Sequence, residues 1–254
     1  AGQTNKSPSC GSTLTFLMYG DFWLQSFSIF AGFVKTKLPV PESLPYFEKL
    51  FRLETKAMHG QIPLIWDKAK NFQIHDKWGN KWIDFTSTIF VANSGHANKK
   101  VVNGLRKLLR KPLIHTYTYL SKERIDYLEY LISNTPSQFE KAFLLSAGTE
   151  ATEVALKLMR MKGSTISKKK LGIICFEGAY HGRTMGAQFM NGPSTGRDWI
   201  GYEDPNIHHI KFPYPWSIED PKDFFDKEIN KLLEEKNLNA EEHLSGFMLE
   251  TYQG

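Results

Sequence analysis

Leu144-Leu145-Ser146-Ala147-Gly148-Thr149-Glu150-Ala151-Thr152-Glu153-Val154-Ala155-Leu156-Lys157-Leu158 is an apolar run that passes through a small-residue turn into a helical pattern. A short strand is expected at Phe143-Leu144-Leu145 and a helix from Thr149 to Met161, with Ala151, Val154, Ala155 and Leu158 as its apolar stripe. A helix that opens straight after a buried strand leaves its first N–H groups unpaired and aims them, with its dipole, at one spot. An anion suits that spot. Gly148 would let the backbone approach a phosphate closely, and Thr149 would add a hydroxyl while capping the helix. The turn lacks the Gly-Lys-Ser/Thr ending of a Walker A loop and is not Gly-x-Gly-x-x-Gly. On these residues alone, an ordinary capped helix after a strand is the simpler reading.

Downstream, the same alternation continues. Leu171 to Phe176, Ile207 to Phe212 and Ser245 to Thr251 read as strands, and Pro221 to Lys236 as a helix. Strands alternating with helices predict an α/β fold: a mostly parallel sheet sandwiched by helices. Upstream the rhythm differs. Ile62 to Trp66, Asn71 to His75 and Trp82 to Phe85, with turn residues Asp76 to Lys81 between the last two, predict a small antiparallel β segment. Before it, Pro39, Pro41 and Pro45 stiffen the chain ahead of a short helix over Phe47 to Lys56. After it, Val101, Val102, Leu105, Leu108 and Leu109 mark one helix face, and Ile125, Leu128, Tyr130 and Leu131 the buried side of another. The expected organisation is an N-terminal extension over 1–38, a helix and small sheet over 39–96, and the first part of a large ligand-binding domain over 97–254. Residues Ala1 to about Phe33 show no turn chemistry joining them to the proline-rich segment after them, and no function is attached to them.

Two further stretches sit at expected strand ends, where α/β sheets bind ligands. Phe176-Glu177-Gly178-Ala179-Tyr180-His181-Gly182-Arg183-Thr184-Met185-Gly186 places glycines around an aromatic and an imidazole, and Tyr180 offers a face on which a flat ring can stack. Phe247-Met248-Leu249-Glu250-Thr251-Tyr252-Gln253-Gly254 ends an apolar strand on an acid, which must lie at the rim of the sheet or in a polar network.

Composition narrows the classes. With 254 residues, 41% hydrophobic and 13% aromatic, the chain can bury a sizeable core. A net charge of +5 from 32 Lys+Arg and 27 Asp+Glu is a mild, dispersed excess, so nucleic acid is not an expected partner; Lys168, Lys169 and Lys170 read as a solvated loop. Only Cys10 and Cys175 occur, and Cys175 lies in the apolar run Leu171 to Phe176, so a disulfide framework is not indicated and a reducing cytoplasm is expected. No apolar stretch reaches membrane-spanning length, and no membrane partner is expected. The adjacent pair His208-His209 lacks metal-ligand spacing, and no metal is expected.

Taken together, the three stretches resemble the class III (4-aminobutyrate or ornithine type) aminotransferases of fold type I. Ala147 to Ala151 match that family's Ser-Gly-Thr-Glu-Ala, Phe176 to Thr184 its Phe-x-Gly-x-Tyr/Phe-His-Gly-Arg-Thr, and Glu250 to Gly254 its Glu-Pro-x-Gln-Gly. Gly79 to Asp84 and Ser94-Gly95-His96 fit two upstream elements, so the resemblance spans roughly Leu44 to Gly254. It implies pyridoxal 5'-phosphate as cofactor. Ala147, Gly148 and Thr149 would hold its phosphate through backbone N–H groups; Tyr180 would stack on its ring, with His181 and Gly182 shaping that wall; Glu250 and Gln253 would belong to the polar network beside it. Three departures stand out: Ala147 for Ser, Asn98 where a Pro is usual, and Thr251-Tyr252 for Pro-Ile/Val.

The resemblance further implies a homodimer acting on a small-molecule amine or amino acid and a 2-oxo acid, with transfer of a terminal amino group. It places the ring-nitrogen Asp, the Schiff-base Lys and a partner-subunit Thr beyond residue 254, so no catalytic residue is named in this chain. Both ends look cut, and the chain alone is expected to be inactive and prone to aggregation. Other cofactor chemistries of the same fold (lyase, racemase or aminomutase) and a non-catalytic phosphate-binding module are the competing readings.

Overall fold

The computed structural model describes residues 32–55, 64–113, 115–192, 196–214 and 216–253. Its contacts divide the chain into two units, 1–119 and 120–254.

The first unit holds β1 (Gly32–Phe33), α1 (Leu44–Leu53), β2 (Lys68–Lys70), β3 (Gln73–His75), β4 (Lys81–Ile83) and α2 (Lys99–Leu108). Its four strands form one antiparallel sheet in the order β1-β4-β3-β2. The predicted small antiparallel sheet is therefore present, but β2 at Lys68–Lys70 takes the place of the strand expected over Ile62 to Trp66, of which residues 64–66 form no strand, and Gly32-Phe33 add a strand within the stretch expected to be an extension. The turn between β3 and β4 explains this addition. Asp76 Oδ1 accepts from the Trp78 and Asn80 N–H groups at 2.9 and 2.8 Å, an Asx-type turn. The Asn80 amide, fully buried, then accepts from the Lys35 and Thr36 N–H groups at 2.7 and 3.2 Å. Residues just after β1 are thus tied down by a side chain whose own place is set by the turn. The unit boundary after Tyr119 puts α2 with this unit, whereas the sequence suggested a division at 96/97. Asn98, the residue in place of the usual Pro, is the N-cap of α2 and accepts from Lys100 N–H at 2.9 Å.

The second unit runs α3 (Lys122–Ser133), α4 (Gly148–Ser164), β5 (Gly172–Phe176), α5 (Met185–Met190), β6 (Ile207–Ile210), α6 (Pro221–Glu235), α7 (Ala240–His243) and β7 (Leu244–Met248). Three parallel strands in the order β6-β5-β7 form its sheet. Every residue of the central strand β5 is buried, as a strand covered on both faces must be. On one face Leu156 and Met159 of α4 pack with Ile173, Cys175, Met190 and Met248. On the other, Leu232, Phe225 and Ile229 of α6 pack with Ile174, Phe176, Ile210 and Phe247. This is the predicted α/β sandwich. Cys175 lies in the buried strand as expected; burial pushes its thiol up to about 12, against the opposing pull of Arg197, so it stays a thiol.

Three local expectations are corrected. Phe143-Leu144-Leu145 forms no strand and joins no strand ladder among the described residues, and all three residues are exposed. An apolar run marks a strand only where a neighbour pairs with it. In α4, Leu156 and Gly163 are buried with Thr152 and Met159 half-buried beside them; of the expected stripe Val154 and Ala155 are half-buried, while Ala151 and Leu158 are exposed. Gly246 of β7 lets the Met159 side chain of α4 settle on the strand, since a Cβ there would collide with Met159 Sδ, and Gly163 lets α4 lie close to Lys170 C=O and Ser245. Lastly, Tyr130 of α3 is exposed, and of the expected inner side only Leu128 and Leu131 are half-buried. Expected strand residues 62–63 and the stretch over 1–31 lie outside the described residues.

Candidate active site

All three sequence stretches meet in the second unit, at the carboxyl ends of β5 and β7 and the N-terminus of α4. Ala147 is the N-cap of α4, in extended conformation and with no side-chain capping bond. Glu150 reaches back to accept Ser146 N–H at 2.8 Å, which closes the turn just outside the helix. Gly148 faces open space, with no atom within 4 Å of where a Cβ would be. The turn therefore offers helix N–H groups and dipole at an unobstructed end, the arrangement an anion takes.

Gly182 welds the second stretch to this turn. Its φ is +137°, and a Cβ would collide with Thr149 Oγ1, so only glycine lets this loop lie against the first turn of α4. The Thr152 hydroxyl lies 2.7 Å from His181 C=O and 2.8 Å from its own helix's Thr149 C=O. Glu153 accepts from the Thr184 hydroxyl and, at 3.0 Å, from Ala187 N–H, so a carboxylate of α4 caps α5. A run of α4 residues thus holds the loop between β5 and α5.

The third stretch closes the site from the other side. Glu250 accepts Tyr180 N–H at 2.8 Å, and Gln253 donates to Glu177 C=O at 2.8 Å. Glu250 is half-buried at the strand end, and its carboxylate holds the one backbone N–H of Tyr180. Tyr180 itself remains 54% exposed, held by its backbone N–H.

His181 turns the other way. Its side chain is buried, its Nε2 has no hydrogen-bond partner, and burial, assisted by nearby His209, pulls its pKa down to about 4. It is a neutral imidazole at ordinary pH, a packing group behind the loop. Beneath it lie residues that sequence reasoning missed. Asn191, 1% exposed, accepts His181 N–H and donates to Gly182 C=O at 2.8 Å. Buried Arg197 donates to Phe189 C=O at 2.9 Å and Asn191 C=O at 3.3 Å, and pairs with Glu203 at 3.0 Å. Asn191-Gly192 reads in sequence as a plain turn, so no signal marked it.

A second polar centre lies in the first unit. Asp84, its side chain 1% exposed, accepts from His96 Nε2 at 2.8 Å, from the Thr86 N–H and hydroxyl at 3.1 and 2.9 Å, and from the Thr88 hydroxyl at 3.1 Å. Burial alone would raise its pKa, but the His96, Thr86 and Thr88 bonds together outweigh it and hold the carboxyl at about 2. Among the described residues no group of three or more His, Cys, Asp or Glu is placed to hold a metal ion. No helix among them is long and apolar enough to cross a membrane.

The family model for class III aminotransferases matches residues 55–254. A mitochondrial acetylornithine aminotransferase of Candida glabrata is 33% identical over 213 residues, 82% of this chain and 46% of that protein. The 4-aminobutyrate aminotransferase GabT of Escherichia coli is 32% identical, over 77% of this chain and 45% of its own length. The chain spans about half the length of the curated relatives it matches. Among solved structures, a thermostable (S)-enantioselective omega-transaminase from Thermomicrobium roseum superposes with a TM-score of 0.69 at 19% identity, covering 83% of this chain and 50% of the other. A Bacillus anthracis aminotransferase gives a TM-score of 0.67 at 20% identity, over 81% and 47%. These structural likenesses establish the fold, the fold type I architecture expected from the three stretches.

Proposed function

The chain belongs to the class III aminotransferase family, and from that premise we propose that the full-length protein is a pyridoxal 5'-phosphate-dependent transaminase moving a terminal amino group from an amine or amino acid to a 2-oxo acid. The observation that carries this reading is the convergence, at one end of a parallel sheet, of an uncapped helix N-terminus, an exposed aromatic face and a strand-end acid. The residues present fit such a group. Gly148 and Thr149 would bind its phosphate through backbone N–H groups, with Ala147 losing nothing essential because the backbone does the binding. Tyr180 would supply the stacking face, and Glu250 orients it by holding its N–H. His181 and Gly182 shape the loop behind that face, and Gln253 pins the loop's start at Glu177. When bound, the cofactor supplies the electron sink for chemistry at the amine-bearing carbon.

Purified full-length protein should transfer amino groups from ω-amino acids only when a 2-oxo acid is supplied. Turnover with no dependence on the 2-oxo acid would instead favour a lyase, racemase or aminomutase. No lysine of this chain is proposed as the Schiff-base residue, so pyridoxal phosphate followed by borohydride should leave the 254-residue chain without a stoichiometric adduct at any one lysine. We propose a homodimer in the cytoplasm; light scattering and cell fractionation test the two points, and a mitochondrial location, as in the name of the Candida glabrata relative, would overturn the second.

A further inference from the structure

The loop carrying Tyr180 does not hold itself in place. From Glu177 to Thr184 it forms neither helix nor strand, and its peptide groups are fixed from outside by Glu250, Thr152 and Asn191. Asn191 does the most. One amide takes the N–H of His181 and gives to the C=O of Gly182, gripping both ends of the two-residue step that follows Tyr180. It is 1% exposed, so neither bond can be replaced by solvent water without opening the structure. Its aim depends in turn on Arg197, whose guanidinium ties down the carbonyls of Phe189 and Asn191 at the end of α5. Glu203, 70% exposed in its side chain, balances that buried charge from the surface. A chain of direct contacts therefore runs from Glu203 through Arg197 and Asn191 to the backbone beside Tyr180.

Resting on the cofactor reading above, we infer that Asn191, aimed by Arg197, is a positioning residue that fixes the Tyr180 loop for cofactor binding. An amide is required because the site needs a donor and an acceptor on one rigid group. Asn191→Asp keeps the volume and the acceptor but turns an oxygen toward Gly182 C=O.

The test is a titration of full-length apoenzyme with pyridoxal phosphate, followed by absorbance and by circular dichroism in the cofactor band, on protein shown to be folded by far-ultraviolet circular dichroism. Losing one buried hydrogen bond that orients the site should weaken cofactor affinity about tenfold in Asn191→Asp and alter the cofactor-band dichroism. Arg197→Met should behave similarly, and Arg197→Lys, which keeps the ion pair but loses the fork onto two carbonyls, should lie between. Affinity within about twofold of wild type in both Asn191→Asp and Arg197→Met, with unchanged dichroism, would overturn the inference. Should Asn191→Asp not fold, Arg197→Lys decides on the same two readouts: a loss of about threefold or more supports the inference, a smaller one defeats it. Absence of saturable cofactor binding by the wild-type protein would bring down the cofactor reading and this inference with it; wild-type binding with indifferent variants brings down the inference alone.

Discussion

The two units hold their loops with opposite materials. In the first, the segment after β4 is gathered by an ionised carboxylate: Asp84 collects Thr86, Thr88 and His96 at distances of 2.8–3.1 Å. In the second, the loop after β5 is gathered by a neutral amide, Asn191, with neutral His181 buried beside it. A buried carboxylate makes strong charge-assisted bonds but must be kept ionised by all its donors together, and it is costly to orphan. An amide makes fewer and weaker bonds, yet supplies donor and acceptor in one plane and does not titrate. The first arrangement suits a fixed scaffold. The second suits a loop that must stay in one register beside an exposed ring.

Breaking each centre should show this difference in size. Asp84→Ala removes the acceptor for four hydrogen bonds and leaves His96 and two threonines without it, and should cost about 3 kcal/mol or more in urea unfolding of the full-length protein. Asn191→Ala strands one N–H and one C=O, and should cost about 2 kcal/mol by the same measurement. The reverse ranking would mean that the amide, and not the carboxylate, is the stronger fastening.

Acid should separate the centres by order as well as size. The folded pKa of His181 lies at about 4, below the ordinary value of 6.5, so the unfolded state takes up the proton first. Stability contributed by neutral His181 is complete above pH 6.5 and drains away as the pH falls to about 4. Asp84, lowered from 3.8 to about 2, contributes fully above pH 3.8 and loses its share as the pH falls through about 2. Amide hydrogen exchange should therefore quicken around Gly182–Thr184 at a higher pH than around Thr86–Thr88. Simultaneous loss at both loops would contradict the assignment.

The smallest effects lie at the helix starts. Asn98 caps α2 in the first unit, while Ala147 leaves α4 without a side-chain cap in the second. Asn98→Ala should lower stability by about 1 kcal/mol and Ala147→Ser should raise it by up to about 1 kcal/mol, read as opposite shifts in melting temperature. Equal signs would show that the open end of α4 is already satisfied in another way.

Much of this was legible beforehand because it is local. Alternating strand and helix patterns predicted the parallel sheet, and turn residues Asp76 to Lys81 predicted the antiparallel one. Ala147-Gly148-Thr149 and the Tyr180 loop were marked by their glycines and by their places after strands. The errors arose where the outcome depends on a distant partner. Phe143 to Leu145 has strand composition but no ladder among the described residues, and α4 buries Leu156 and Gly163 where the sequence pointed to Ala151 and Leu158. Asn191 and Arg197 were invisible because single polar residues carry no periodicity; Asp84 and His96 were marked as matches to two upstream elements, but only the structure shows that they touch.

Sequence by itself determined the layers, the order of elements and the place of the small-residue turn before α4, since these follow from periods of apolar residues and from the orphan N–H groups every helix start must have. Tertiary structure alone decided which side chains fasten the site. A hydrogen bond from residue 191 to residue 181 is fixed by where α5 ends against the β5 loop, and buried polar groups are satisfied by whatever the packing brings within reach.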